Sequence, residues 1–201
     1  MLISNRTLPS SRKKFTVPPA LANPATSLIM GKMQGSIADV LMPPLSAGEF
    51  TLAFVLGGAT RALLTGALLV LAMQPFVTLF PVHPGFVLFH AVAAGLALSM
   101  LGLIAGLCAT KWDHLSAITN FTIMPLTFLS GTFYSIERLP GAWHTASQSN
   151  PIFYMIDGFR YGFIGVADGS LATGVAVMAG LNVALWLVCH RLVASGYRLK
   201  P

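Results

Sequence analysis

Four stretches of the chain, at about residues 50–73, 85–109, 115–134 and 171–189, share a single charged side chain, Arg61. With a rise of about 1.5 Å per residue, each approaches the roughly 30 Å of a hydrocarbon core. Backbone N–H and C=O groups at that depth find no water, so a spanning segment must satisfy them within itself, as a helix. Only 9% of the residues are charged and mean hydropathy is +0.74, whereas a water-facing domain carries about 25% charged residues. The sequence therefore predicts an all-α, polytopic helical membrane protein with about four transmembrane helices.

The net charge of +6 would suit a polyanion only if the basic residues were gathered in one patch. They are distributed instead by topology. Arg6, Arg12, Lys13, Lys14, Lys32, Lys111, Arg191, Arg198 and Lys200 fall in segments on one side of the predicted spans, and Arg138 and Arg160 on the other. This is the cytoplasmic excess of Lys and Arg that orients a membrane protein. It places both termini in the cytoplasm and argues against nucleic acid as a partner. Cys108 and Cys189 lie near span ends on the cytoplasmic side, where thiols stay reduced.

Outside the spans three segments stand apart. Residues 1–25 are interrupted by Pro9, Pro18, Pro19 and Pro24 and read as poorly ordered. Over 28–42, Met30, Met33, Ile37 and Leu41 recur at helical spacing while Lys32, Gln34 and Asp39 are polar, so a short amphipathic helix is predicted, stopped by Pro43 and Pro44. From 135 to 168 the chain is too polar to span and too apolar for a linker. A short helical hairpin is predicted there, its second helix opened by Asn150 as cap and Pro151 in the first turn, with Asp157 and Arg160 one turn apart. Its aromatic content predicts an interfacial or re-entrant position.

No phosphate loop, nucleophile elbow or zinc-binding helix occurs, so any ATP hydrolysis belongs to another polypeptide and no cofactor is implied. The five histidines show no metal-ligand spacing. Two polar groups at membrane depth invite a role: Arg61, about eleven residues into the first span, and Asn120 in the third. Gly102 and Gly106 form a G-x-x-x-G step that permits close helix approach, either within the subunit or between copies.

Two stretches in order, GKMQGSIADVLMPPLSAGEF from Gly31 and PLTFLSGTFYSIERLP followed by NPIFYMIDGFRYGFIG, resemble the membrane subunit of a type-2 ABC exporter. That family includes lipo-oligosaccharide, polysaccharide and drug exporters. The resemblance covers about residues 27–201 and implies a permease of the bacterial inner membrane, paired with a second copy and with separate ATPase subunits. It implies that the 28–42 helix, with Met30, Lys32, Met33, Gln34, Ile37, Asp39 and Leu41, contacts the ATPase. It further implies that Gly131, Phe133, Pro140, Asn150, Pro151, Tyr154, Asp157 and Arg160 belong to an outer hairpin. Such permeases have six spans, so the four here are expected to correspond to the third through sixth. A truncated, non-transporting fragment and a small intramembrane lipid-modifying enzyme are the competing readings. The second would require convergent polar side chains within the spans.

Overall fold

The computed structural model describes residues 24–34, 45–77, 80–118, 121, 124–130, 145 and 147–197. Seven helices follow one another among them: α1 Pro24–Gln34, α2 Ala47–Met73, α3 Pro84–Cys108, α4 Trp112–Ile118, α5 Met124–Phe128, α6 Pro151–Ile164 and α7 Leu171–Ala194. Three of these, α2, α3 and α7, are long and apolar enough to cross a membrane. Of the predicted 115–134 span, the end of α4 and all of α5 are described, while residues 119–120, 122–123 and 131–134 lie outside the described set.

Local chemistry sets the helix ends. Ser46 and Glu49 form a reciprocal capping box at α2, with the Glu49 Oε2 accepting from Ser46 N–H at 2.8 Å. Asn150 Oδ1 accepts from Ile152 N–H at 3.0 Å and Pro151 occupies the first turn of α6, as the Asn-Pro pair predicts. Gly165 closes α6 with φ of 81°, a left-handed conformation that favours glycine. The last helix runs past the predicted boundary at residue 189, because nothing breaks it before Gly196, whose φ is 66°. Tyr197 N–H then bonds Leu192 O and Gly196 N–H bonds Val193 O, the paired closure of a helix end. His190 and Arg191 lie within the last turns of this helix.

The central element is α3, which packs against α1, α2, α6 and α7. It buries 44% of its most apolar window, against 11% for α2 and α7. Leu28, Val55, Met100, Leu103, Leu107 and Cys189 form one core cluster, and Ala93, Ala97, Met155 and Met178 a second. Leu64, Leu68, Leu69 and Leu71 on α2 and Val183 and Leu187 on α7 face outward. Lipid solvates such faces as readily as another helix does, so close packing and hydrogen bonds must hold the bundle.

One boundary is corrected. Ala25, assigned by sequence to a poorly ordered segment, is 1% exposed inside α1. Proline fits a first helical turn, and the docking surface is made of small residues, which hydrophobic periodicity does not detect. Pro24 lies against Gly58, where an added Cβ would come within 2.7 Å of its Cγ. Ala25 lies against Gly106, whose added Cβ would sit 2.8 Å from the Ala25 Cα.

Candidate functional site

The two ends of the bundle carry most of the polar contacts among the described residues, and an apolar groove lies between them. At the first end, α1 finishes beside the carboxyl terminus of α3. The Lys32 ammonium donates to Gly106 O at 2.9 Å, Leu107 O at 2.8 Å and Ala109 O at 3.3 Å. The last turn of a helix has carbonyls without intrahelical donors. Here the chain turns extended at Ala109, with ψ of 137°, and the Ala109 N–H donates to Ala105 O. Lys32 supplies the missing donors and sets a positive charge at the negative end of the helix dipole. Lys32 is thus turned inward, Met30 is half-buried, and Met33, 61% exposed, and Gln34 face out. The buried face of α1 comprises Leu28 and Ile29 with Pro24, Ala25 and Thr26 rather than Met30 and Met33. Ile37, Asp39 and Leu41 lie outside the described residues.

At the opposite end α6 is clamped to the start of α7. Asp157, 4% exposed, accepts from Asp168 N–H at 2.8 Å on Oδ1 and from Gly169 N–H at 3.0 Å on Oδ2. Arg160 Nη2 bridges Asp157 Oδ1 at 2.9 Å and Asp168 Oδ2 at 2.7 Å. Burial works against the guanidinium charge, but the hydrogen bond and charge of Asp168, joined by those of Asp157, more than offset it and hold the Arg160 pKa above its usual value. The Asp157–Arg160 pair was legible in the sequence. Asp168 was not singled out, because eleven residues and the Gly165 turn separate it from Asp157.

The same helix meets α3 at a second point. Gly158 packs on the imidazole of His90, which is 1% exposed, so an added Cβ would overlap the ring. His90 Nδ1 lies 3.0 Å from Phe86 O, and Nε2 is buried without a partner among the described residues. Gly162 abuts Val87, and its carbonyl accepts from His83 N–H at 2.9 Å. The expected interfacial helix therefore presses a glycine face into the bundle, with Asn150 Nδ2 anchoring its start to Leu126 O at 2.6 Å. Tyr154 is half-buried, its ring edge-on to Phe153 at 5.0 Å. Phe159 and Phe163 pair at 5.0 Å, with Phe159 36% exposed. Gly131, Phe133 and Pro140 lie outside the described residues.

Between these ends a groove of about 450 Å³ opens along α3 and α7, lined by Leu88, Phe89, Val92, Leu96, Ala179 and Asn182. Asn182 Nδ2 donates to Ala93 O at 3.1 Å and Met178 O at 2.9 Å, while its Oδ1 is buried without a partner among the described residues. Arg61 is partly buried midway along α2 and does not stand alone there. Asn120 lies outside the described residues. The Gly102/Gly106 step receives α1, so the close approach it permits is used within the subunit.

The chain is 38% identical over 182 residues to the Escherichia coli K12 inner membrane transport permease YadH, covering 90% of this chain and 71% of that protein. It is 26% identical over 167 residues to nodulation protein J of Rhizobium leguminosarum bv. viciae, covering 81% of this chain and 64% of that protein. No solved structure matches it. The family model for the ABC-2 type transporter matches residues 19–164, most of the helical bundle just described, and the chain accordingly belongs to the ABC-2 type transporter family of membrane subunits.

Proposed function

We propose that the chain is the inner-membrane permease subunit of an ATP-driven exporter for a lipid-like, glycan or drug substrate, with ATP hydrolysed on a separate subunit. Two copies of the permease would flank the path, and the Lys32 end would face the cytoplasm, in keeping with the nine-to-two distribution of Lys and Arg. The observation that carries this reading is the build of α1. Its body is seated on the glycines of α2 and α3, while its final turn exposes Met33 and Gln34. From there the chain continues through residues 35–44 to the capped start of α2. An exposed apolar side chain on a helix tied to the core supports a contact there. An ATPase docked there, changing shape with nucleotide, would shift the spans by rigid-body movement.

Replacing Met33 and Ile37 together by Asp tests the reading. The expected result is loss of co-purification with the cognate ATPase while membrane insertion persists, and undiminished co-purification would refute the contact. Orientation is tested with single cysteines at Gln148 and Ala194 in a chain lacking Cys108 and Cys189. Position 148 should label from outside intact cells and position 194 should not.

A further inference from the structure

We propose that Lys32 is the positioning residue that carries movement of the ATPase-contacting segment into α3, by gripping the carboxyl end of that helix; this rests on the coupling reading given above. Apolar helix faces resist separation but slide with little resistance, because dispersion between any pair of atoms is weak and nondirectional. The apolar part of the α1–α3 contact, Leu28 against Leu103 and Leu107 and Ala25 against Gly106, would let α1 shift along its axis. Three charge-assisted bonds from one ammonium to Gly106 O, Leu107 O and Ala109 O are directional and lock that shift.

The placement matters as much as the strength. Lys32 precedes the exposed Met33 by one residue, so the grip and the outward contact share one helical turn. The carbonyls it holds belong to the last turn of the most buried of the three long apolar helices and to Ala109, the corner from which the chain leaves for α4 at Trp112. A displacement of α1 would therefore reach α3 and the α3–α4 corner together. A capping role alone would stabilise α3 without making its end respond to nucleotide.

That difference is measurable. Cys108 lies in the last turn of α3 and is half-buried. The native chain and the variants Lys32→Arg, Lys32→Met and Lys32→Gln would be purified with the cognate ATPase in lipid nanodiscs. The alkylation rate of Cys108 by a maleimide would be followed by mass spectrometry with and without a non-hydrolysable ATP analogue. In the native complex nucleotide should change the rate by about fivefold or more, the lower end of usual coupling between two sites. Lys32→Arg should keep the response. Lys32→Met and Lys32→Gln should lose it while still retaining the ATPase and a cooperative melting transition. A neutral variant that is folded, ATPase-bound and still nucleotide-responsive at Cys108 overturns the proposal. The native chain gives a test that needs no variant: absence of any nucleotide response at its Cys108 overturns the proposal as well. Failure of the native chain to hold the ATPase overturns the coupling reading itself, a result visible before any alkylation is measured.

Discussion

Gly102 and Gly106 are equivalent as a sequence motif, and the structure predicts that alanine will separate them. An added Cβ at Gly106 would stand 2.8 Å from Ala25 Cα, 3.1 Å from Ala25 O and 3.2 Å from Leu28 Cβ, all on α1. At Gly102 the nearest atoms, Ala25 N and Pro24 Cδ, are 3.8 Å away, an ordinary contact. Both changes gain about 0.8–1.0 kcal/mol of helix propensity. At Gly106 the backbone of α1 must retreat, an overpacking penalty of about 1–3 kcal/mol. That retreat also lengthens the Lys32 bonds to the same turn of α3, each worth about 1.5–3 kcal/mol if lost outright. The net expectation for Gly106→Ala is a loss of about 2 kcal/mol, or about 4–8 °C in Tm for a chain of this size. Gly102→Ala should melt at or slightly above the native temperature. Thermal unfolding in detergent micelles, followed by circular dichroism at 222 nm, makes the comparison. Equal Tm values for the two variants would refute the reasoning, since they would mean that α1 does not bear on Gly106.

Gly158→Ala should lower stability by about 1–3 kcal/mol through overlap with the His90 ring, and adding His90→Ala should recover part of that loss; purely additive melting shifts would remove the contact. Asp157→Ala leaves two loop N–H groups and one side of Arg160 without their acceptor. It should destabilise by about 2–4 kcal/mol and expose residues 165–170 to limited proteolysis, at about 1–3 kcal/mol for each orphaned group; an unchanged cleavage pattern would show that the loop is held by other means. Asn182→Leu should stay within about 1 kcal/mol of the native chain, because interhelical hydrogen bonds in lipid average about 0.6 kcal/mol and the side-chain oxygen removed has no partner among the described residues. A large loss of stability on that change would mean that the groove depends on the Asn182 amide.

The helical, membrane-embedded character of the chain was legible without coordinates, because a bilayer accepts few solutions and apolar runs as long as 50–73, where Arg61 is the single charge, and 85–109 admit only helices. Chemistry confined to a few neighbouring residues was equally legible, as with Asn150 and Pro151 opening α6 and Asp157 reaching Arg160 one turn on. Family membership could be read from two ordered stretches, since these record local sequence too. Contacts between residues far apart were not readable. Hydrophobic spacing marked Met30 and Met33 as an apolar face of α1, but gave no sign of the face that packs on the bundle, which is built from Pro24, Ala25 and Leu28 resting on glycines, for which hydropathy gives no signal. Lys32 looked like a surface cation because sequence does not show which helix end lies nearby; its three acceptors are 74, 75 and 77 residues away. Likewise His90 met Gly158, and Asp168 joined Asp157 and Arg160, only once α6 had folded onto α3 and the Gly165 turn had brought the chain back. Bilayer solvation, which depends on composition along the chain, fixed what kind of protein this is; close packing and directional hydrogen bonds, which depend on the folded geometry, decided which residues hold it together and how its two ends are tied to the core.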